Sequence, residues 1–151
     1  MSRQGVLHFR RWRIISTPWF SIYIHRIYMP DDDKYLHDHP WDYWSMVLTG
    51  SYNEETTLQN KTYDPKQNLL IPGSCNSRMA EQFHKIKSLN TKSVTTLFIT
   101  GKRRREWGYK VGKYWIHNEY YRQNKHVEEL IKNQTHALEL TDKVKLLKDI
   151  Y

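Results

Sequence analysis

Three histidines and two carboxylates carry the chemistry this sequence could perform. His37 and His39 stand two residues apart in His37-Asp38-His39, and His84 follows in Gln82-Phe83-His84-Lys85. On an extended strand, residues two apart point to one face, so His37 and His39 present their imidazoles side by side. Paired neutral imidazoles suit a transition metal and little else. A third ligand must come from another strand, and His84, beyond the turn signal at Pro72-Gly73, is the candidate. We expect one divalent ion there: iron, manganese, nickel or zinc. Iron(II) would favour oxygen chemistry, whereas zinc or manganese would favour hydrolysis or isomerisation, by polarising an oxygen or activating water.

Around this centre the sequence offers further groups. Glu54 or Asp42 could act as general base or fourth ligand, and His25 could line the cavity as an acid-base group or substrate contact. Trp41, Tyr43, Trp44 and Tyr52 crowd the histidine motif, where flat rings either stack on a planar substrate or simply fill the interior. Lys102-Arg103-Arg104-Arg105 suits a phosphate or carboxylate, with Arg105 placed on the substrate; the alternative is a solvated basic turn. In Arg10-Arg11-Trp12-Arg13, strand alternation turns Arg11 and Arg13 opposite to Arg10 and Trp12. His8 and His117 read as ordinary hydrogen-bonded histidines, and His126 and His136 as solvent-facing.

Strands must position these groups. Up to about residue 123, short runs rich in Tyr, Ile, Val, Trp and Thr alternate with Asp, Pro, Gly and Asn clusters. The runs are Val6 to Ser16, Trp19 to Tyr28, Tyr35 to His39, Tyr43 to Thr49, Ser51 to Leu58, Leu69 to Ile71, Gln82 to Leu89, Val94 to Thr100, Trp107 to Val111 and Tyr114 to Tyr121. A polar loop is expected from Asn60 to Asn68. Many short strands at close spacing argue for a sandwich or barrel rather than βαβ units. From Lys125 the pattern turns helical, with Leu140, Val144, Leu147 and Tyr151 on one stripe. This gives a β domain over residues 1–124 and a helical extension over 125–151, packed on the barrel or on a partner subunit.

The chain of 151 residues suffices for one core. Its net charge of +8 lies wholly in residues 1–124, because five lysines and five acids cancel after that. A basic body attracts anionic small molecules, phosphates or nucleic acid. No recognised nucleic-acid motif accompanies it, so nucleic acid ranks last among the partners. No run approaches the roughly 20 apolar residues of a membrane span. A single cysteine, Cys75, fits a reducing compartment, and the expectation is a cytoplasmic protein.

Taken together, the motif residues resemble the cupins: His-x-His, an apolar strand ending in Gly50, the Pro72-Gly73 turn and a later single histidine. The chain is also similar to small cupin-like proteins of bacteria and their viruses. The shared run is His37-Asp38-His39-Pro40-Trp41-Asp42, with the Gly50-x-Tyr52-x-Glu54 step and Arg105-Glu106-Trp107-Gly108. The resemblance covers roughly residues 10–122. It implies a mainly β, double-stranded β-helix (jelly-roll) barrel with a metal at its centre, and a homodimer; it names no reaction. Two departures stand out. Where the family's first motif places a glutamate, this chain has Tyr43 and Trp44, and Gly73 and His84 stand further apart than usual.

The resulting expectation is a metal-dependent enzyme for a small anionic substrate, phosphorylated or nucleotide-bearing, with a non-catalytic module that sequesters such a ligand as the alternative. An oxygenase using 2-oxoglutarate fits poorly, since the residue two after His37 is His39 rather than an acid. Thiol dioxygenation enters by family analogy alone.

Overall fold

The architecture comes from a computed structural model, which describes residues 2–3, 6–57, 66–112, 114–123 and 129. The helical expectation for 125–151, with His126 and His136, falls outside these residues except for Glu129. So does most of the Asn60–Asn68 loop.

In chain order the strands are β1 (Ser2–Arg3), β2 (Val6–Leu7), β3 (Phe9–Ser16), β4 (Ser21–Ile27), β5 (Leu36–His37), β6 (Tyr43–Thr49), β7 (Tyr52–Thr57), β8 (Lys66–Leu70), β9 (Cys75–Arg78), β10 (Phe83–Leu89), β11 (Val94–Thr100), β12 (Gly108–Val111) and β13 (Tyr114–His117), followed by helix α1 (Asn118–Gln123). Beyond the small β1–β2 pair, they form a six-stranded sheet, β13-β12-β5-β10-β7-β8, and a five-stranded sheet, β3-β4-β11-β6-β9. Their pairs are antiparallel. The fold is the expected jelly roll, but its two sheets stay open at their edges and do not close into a barrel.

Alternation decides which side chains face inward. On β4, Ser21, His25 and Ile27 are buried, and on β6, Tyr43, Ser45 and Val47 are. Ile27, Val47 and Val94 of the five-stranded sheet pack against Tyr52 and Leu70 of the other. A second cluster, Tyr109, Val111 and Ile116, closes the β12–β13 end, with Tyr120 and Tyr121 of α1 packed on it. The β6–β7 turn needs Gly50: its φ is +79°, and a Cβ there would stand 2.3 Å from the Ser93 carbonyl oxygen.

The strands differ from the sequence reading in several places, among them β8, which begins at Lys66 within the loop expected over Asn60–Asn68. The strand expected through His39 ends at His37, because the chain then leaves β5 to cross toward the other sheet. β9 was missed, since Cys75–Arg78 has no apolar alternation to announce it. The strand expected to Tyr121 gives way to helix at Asn118, whose side chain donates to the Trp107 carbonyl at 3.0 Å.

Candidate metal centre

The register of the six-stranded sheet brings two of the three histidines together. His37 on β5 lies directly opposite His84 on β10, so their side chains share the inner face. His39 has left the strand, yet its ring centroid is 5.2 Å from that of His37 and 5.0 Å from that of His84. Two backbone bonds keep the strand-like alternation through this segment: Asp38 N–H donates to the Gly108 carbonyl, and His39 N–H to the Ala80 carbonyl, each at 3.0 Å.

Asp38, between the two ligand candidates, points the other way and holds them in place. It is fully buried. Its carboxylate accepts from Gly108 N–H at 2.7 Å, from Trp115 Nε1–H at 2.9 Å and from Arg105. Burial raises its carboxyl above the usual range, and these donors act against that rise. The Arg105-Glu106-Trp107-Gly108 step therefore has a structural meaning: two of its four residues grip Asp38. Gly108 must be glycine for a further reason, because a Cβ there would lie 2.1 Å from the Ile116 carbonyl oxygen.

One nitrogen from each of His37, His39 and His84 lies within 4.8 Å of the other two. Two nitrogens bound to one ion at roughly 2.0–2.1 Å each stand at most about 4.2 Å apart, so modest side-chain adjustment gathers all three. Nε2 of His39 and Nε2 of His84 are already 2.7 Å apart. The donor set fits in protonation as well. Burial, then the neighbouring His84 charge, lowers His37 to about 4, and the same causes hold His39 well below its ordinary value. Both rings are neutral at physiological pH, as ligands must be.

Glu54 stands behind the centre. Diagonal to His84 across the β7–β10 pair, its Oε1 accepts from His84 Nδ1–H at 2.7 Å, which leaves Nε2 of His84 to face the other rings. Its other oxygen meets Arg78, from β9 of the facing sheet. Burial opposes ionisation of Glu54, but the His84 hydrogen bond and the His84 and Arg78 charges prevail and hold its carboxyl below the usual range. The sequence leaves open whether Glu54 or Asp42 points inward, and the register of β7 beside β10 decides for Glu54. Arg78 carries no signal in the sequence at all.

The rings form the floor of a cleft of about 430 Å³ between the sheets. Tyr43, Tyr52, Trp41 and His25 line it, as the sequence suggested. The Tyr43 hydroxyl sits 3.3 Å from Nε2 of His84, and burial, then the Glu54 charge, holds it well above the ordinary phenol range, so it is a neutral proton donor. His25 is neutral too, lowered to about 3 by burial and then by Arg11. Two expected contacts lie elsewhere. Asp42 is half exposed and bound to Arg104 and to Ala80 N–H, and Arg105 is committed to Asp38. Trp44 faces outward on β6 opposite Ile99. Cleft residues that the sequence did not single out include Asp31, Arg122, Trp107 and Tyr109, while Arg11 was placed only by its strand face.

No protein-family model and no curated protein sequence matches this chain. Solved structures do match in shape. A putative mannose-6-phosphate isomerase from Ralstonia eutropha JMP134 is 17% identical, with a TM-score of 0.54 over 65% of this chain and 88% of its own. An iron(II) form of HppE is 19% identical, with a TM-score of 0.55 over 66% of this chain. The hydroxypropylphosphonic acid epoxidase of S. wedmorenis is 16% identical, with a TM-score of 0.52 over 64%. The match spans about half of these last two proteins, 53% and 52% of their chains. At such identities the likeness is one of fold, the cupin-type jelly roll. Among the described residues, no helix is long and apolar enough to cross a membrane.

Proposed function

We propose that this chain is a metal-dependent cupin enzyme acting on a small anionic substrate, with His37, His39 and His84 as the ligands of one divalent ion. The observation that carries the reading is the convergence of three imidazoles at the base of a cleft, with Nδ1 of His84 committed to Glu54. When bound there, the ion supplies Lewis acidity and a site for activating water or oxygen.

The chain's own residues do the rest. Glu54 fixes the tautomer and orientation of His84, and Arg78 ties that carboxylate to the opposite sheet. Glu54 thus serves as a positioning group, since neither oxygen is left to take a proton from substrate. The Tyr43 hydroxyl is the protic group beside the reacting space and can donate to a developing negative charge. Phe98, Trp107 and Tyr109 narrow the cleft with apolar surface that excludes water. The substrate's anionic character is supported by the chain's +8 charge and by the phosphate and phosphonate groups in the names of the fold neighbours.

The test is elemental analysis of purified protein beside His37→Ala and His39→Ala. We expect about one iron, manganese, nickel or zinc per chain, lost in both variants. Unchanged metal content in the variants, or none in the wild type after reconstitution, refutes the centre. The alternative of a sequestering module gains from one observation: both carboxylates expected as bases, Glu54 and Asp42, are already engaged. Turnover by the metal-loaded protein decides between them.

A homodimer is proposed through the outer face of the five-stranded sheet. Register aligns Trp12, Ile24, Leu97 and Met46 in one row and Ile15, Ile22, Ile99 and Trp44 in the next. Trp12 and Ile15 are each 44% exposed. Four of its strands run seven or eight residues and β9 four, so the face presents on the order of 500 Å² in projection; each partner of a stable pair buries roughly 800 Å² of accessible surface. A second copy offers the same apolar face in return.

A further inference from the structure

The cleft holds one arginine whose setting no metal-binding role explains. Arg11 lies on β3 directly opposite His25 of β4, on the inner face of the five-stranded sheet. Its Nε–H donates to Nε2 of His25 at 3.1 Å. Its guanidinium carbon sits over two rings, 5.4 Å from the Phe9 centroid and 5.0 Å from that of Tyr23. Rings and imidazole thus hold the guanidinium, which lines the cleft, and leave its two terminal nitrogens uncommitted. Among the described residues these nitrogens have no hydrogen-bond partner, and no carboxylate pairs with the group.

His25 is built to support it. The ring is buried, stacks on Phe98 at 4.6 Å and meets Phe9 edge-on at 4.8 Å. With Nε2 accepting from Arg11, its proton resides on Nδ1, and the ring is held neutral as an acceptor. From His25 a run of rings leads to the histidine centre: Phe98 stacks on Tyr43 at 4.7 Å, and Tyr43 meets His39 at 4.9 Å. His25 pairs with Thr96 and Tyr43 with Thr100 of the intervening β11, so the two lie two strand spacings of roughly 4.8 Å across the sheet and four residues along it. Asp31, Asp32 and Asp33 also line the cleft, which holds Arg122 as its other arginine.

We propose that Arg11, positioned by His25, is the anion anchor of the cleft, binding the carboxylate or phosphonate/phosphoryl end of a substrate whose other end lies at His37, His39 and His84. This rests on the metal-centre reading only for the second half of that statement. With Nε committed to His25, the Nη1–Nη2 edge of the planar guanidinium takes either oxyanion in a bidentate contact. The three aspartates of the cleft disfavour a second anionic group, so the ligand carries its negative charge at one end.

Calorimetric titration of the zinc-loaded protein with methylphosphonate and with acetate tests this. Arg11→Gln should raise Kd at least tenfold for the better-bound anion, and Arg11→Lys by less. Arg10→Gln, which removes an equal charge from the other face of the same strand, should leave Kd unchanged. His25→Phe keeps a ring on Phe98 but removes the acceptor; it should raise Kd several-fold while metal content and melting temperature hold. The tighter of the two probes identifies the anion class. The same titrations on metal-free His39→Ala separate the two readings. Anion binding that vanishes with the metal and ignores Arg11→Gln overturns the anchor and leaves the metal centre standing. Binding that tracks Arg11 in a wild type holding no metal refutes the centre and keeps the anchor. No binding of either probe to the wild type overturns the anchor.

Discussion

Replacing Glu54 by glutamine tests the logic of the centre most sharply. Glu54 is 2% exposed, with one oxygen on His84 Nδ1–H and the other on Arg78. Glutamine has nearly the same shape but only one acceptor oxygen, so its amide N–H₂ must face either the imidazole N–H or the guanidinium. One donor is left without an acceptor. If the amide fails His84, the ring loses the partner that orients it, which typically weakens metal binding by about 10–100-fold. At about 1.4 kcal/mol per tenfold, that is on the order of 1.4–2.8 kcal/mol. If it fails Arg78, a largely buried cation loses its counter-charge, and breaking such a pair costs about 3–5 kcal/mol of folding stability. Glu54→Gln should therefore show weakened metal affinity, a lower unfolding free energy, or both. Competition against a chromophoric zinc chelator measures the first, and urea unfolding followed by circular dichroism the second. Wild-type affinity and stability in Glu54→Gln would falsify the supporting role. Complete loss of metal, with no residual affinity in the chelator assay, would show that the carboxylate is a direct ligand.

Three more outcomes follow from the same geometry. Asp38→Ala strips three donors of their acceptor and leaves Arg105 uncompensated, so unfolding free energy should fall by roughly 3–5 kcal/mol with metal lost as well; an unchanged urea midpoint refutes the clasp. Arg104 hydrogen-bonds to both Asp42 and Glu81, and these bonds lower both carboxyls below their usual values. Depressed folded-state values stabilise the fold above the ordinary carboxylate range, and that contribution disappears as pH falls through them. The drop in melting temperature from pH 7 to pH 3 should thus be smaller in Arg104→Gln than in the wild type; an equal drop in both refutes the pairing. Leu97→Lys, in the middle of the apolar outer face, should convert a dimer to a monomer in analytical ultracentrifugation without loss of metal. A wild-type monomer refutes that interface.

What this sequence determines by itself is local and periodic. Strand parity alone puts His37 and His39 on one face and Arg11 opposite Arg10, because side chains alternate whatever else the chain does. The turn residues near Gly50 and Pro72-Gly73 mark where strands must reverse. The candidate metal centre is legible for that reason: His37 and His39 are signalled by residue type and two-residue spacing, and His84 by its place after the Pro72-Gly73 turn. Long-range pairing carries no such mark. That Arg105 and Gly108 grip Asp38, 67 and 70 residues away, depends on how β12 docks beside β5. That Arg78 reaches Glu54 depends on two sheets meeting face to face, and the strand bearing it has no apolar rhythm to reveal it. Arg11 shows the same division. Alternation fixed its face, but only the docking of β3 beside β4 set its Nε against His25, and only the packing of the two sheets put that pair in one cleft with the three histidines.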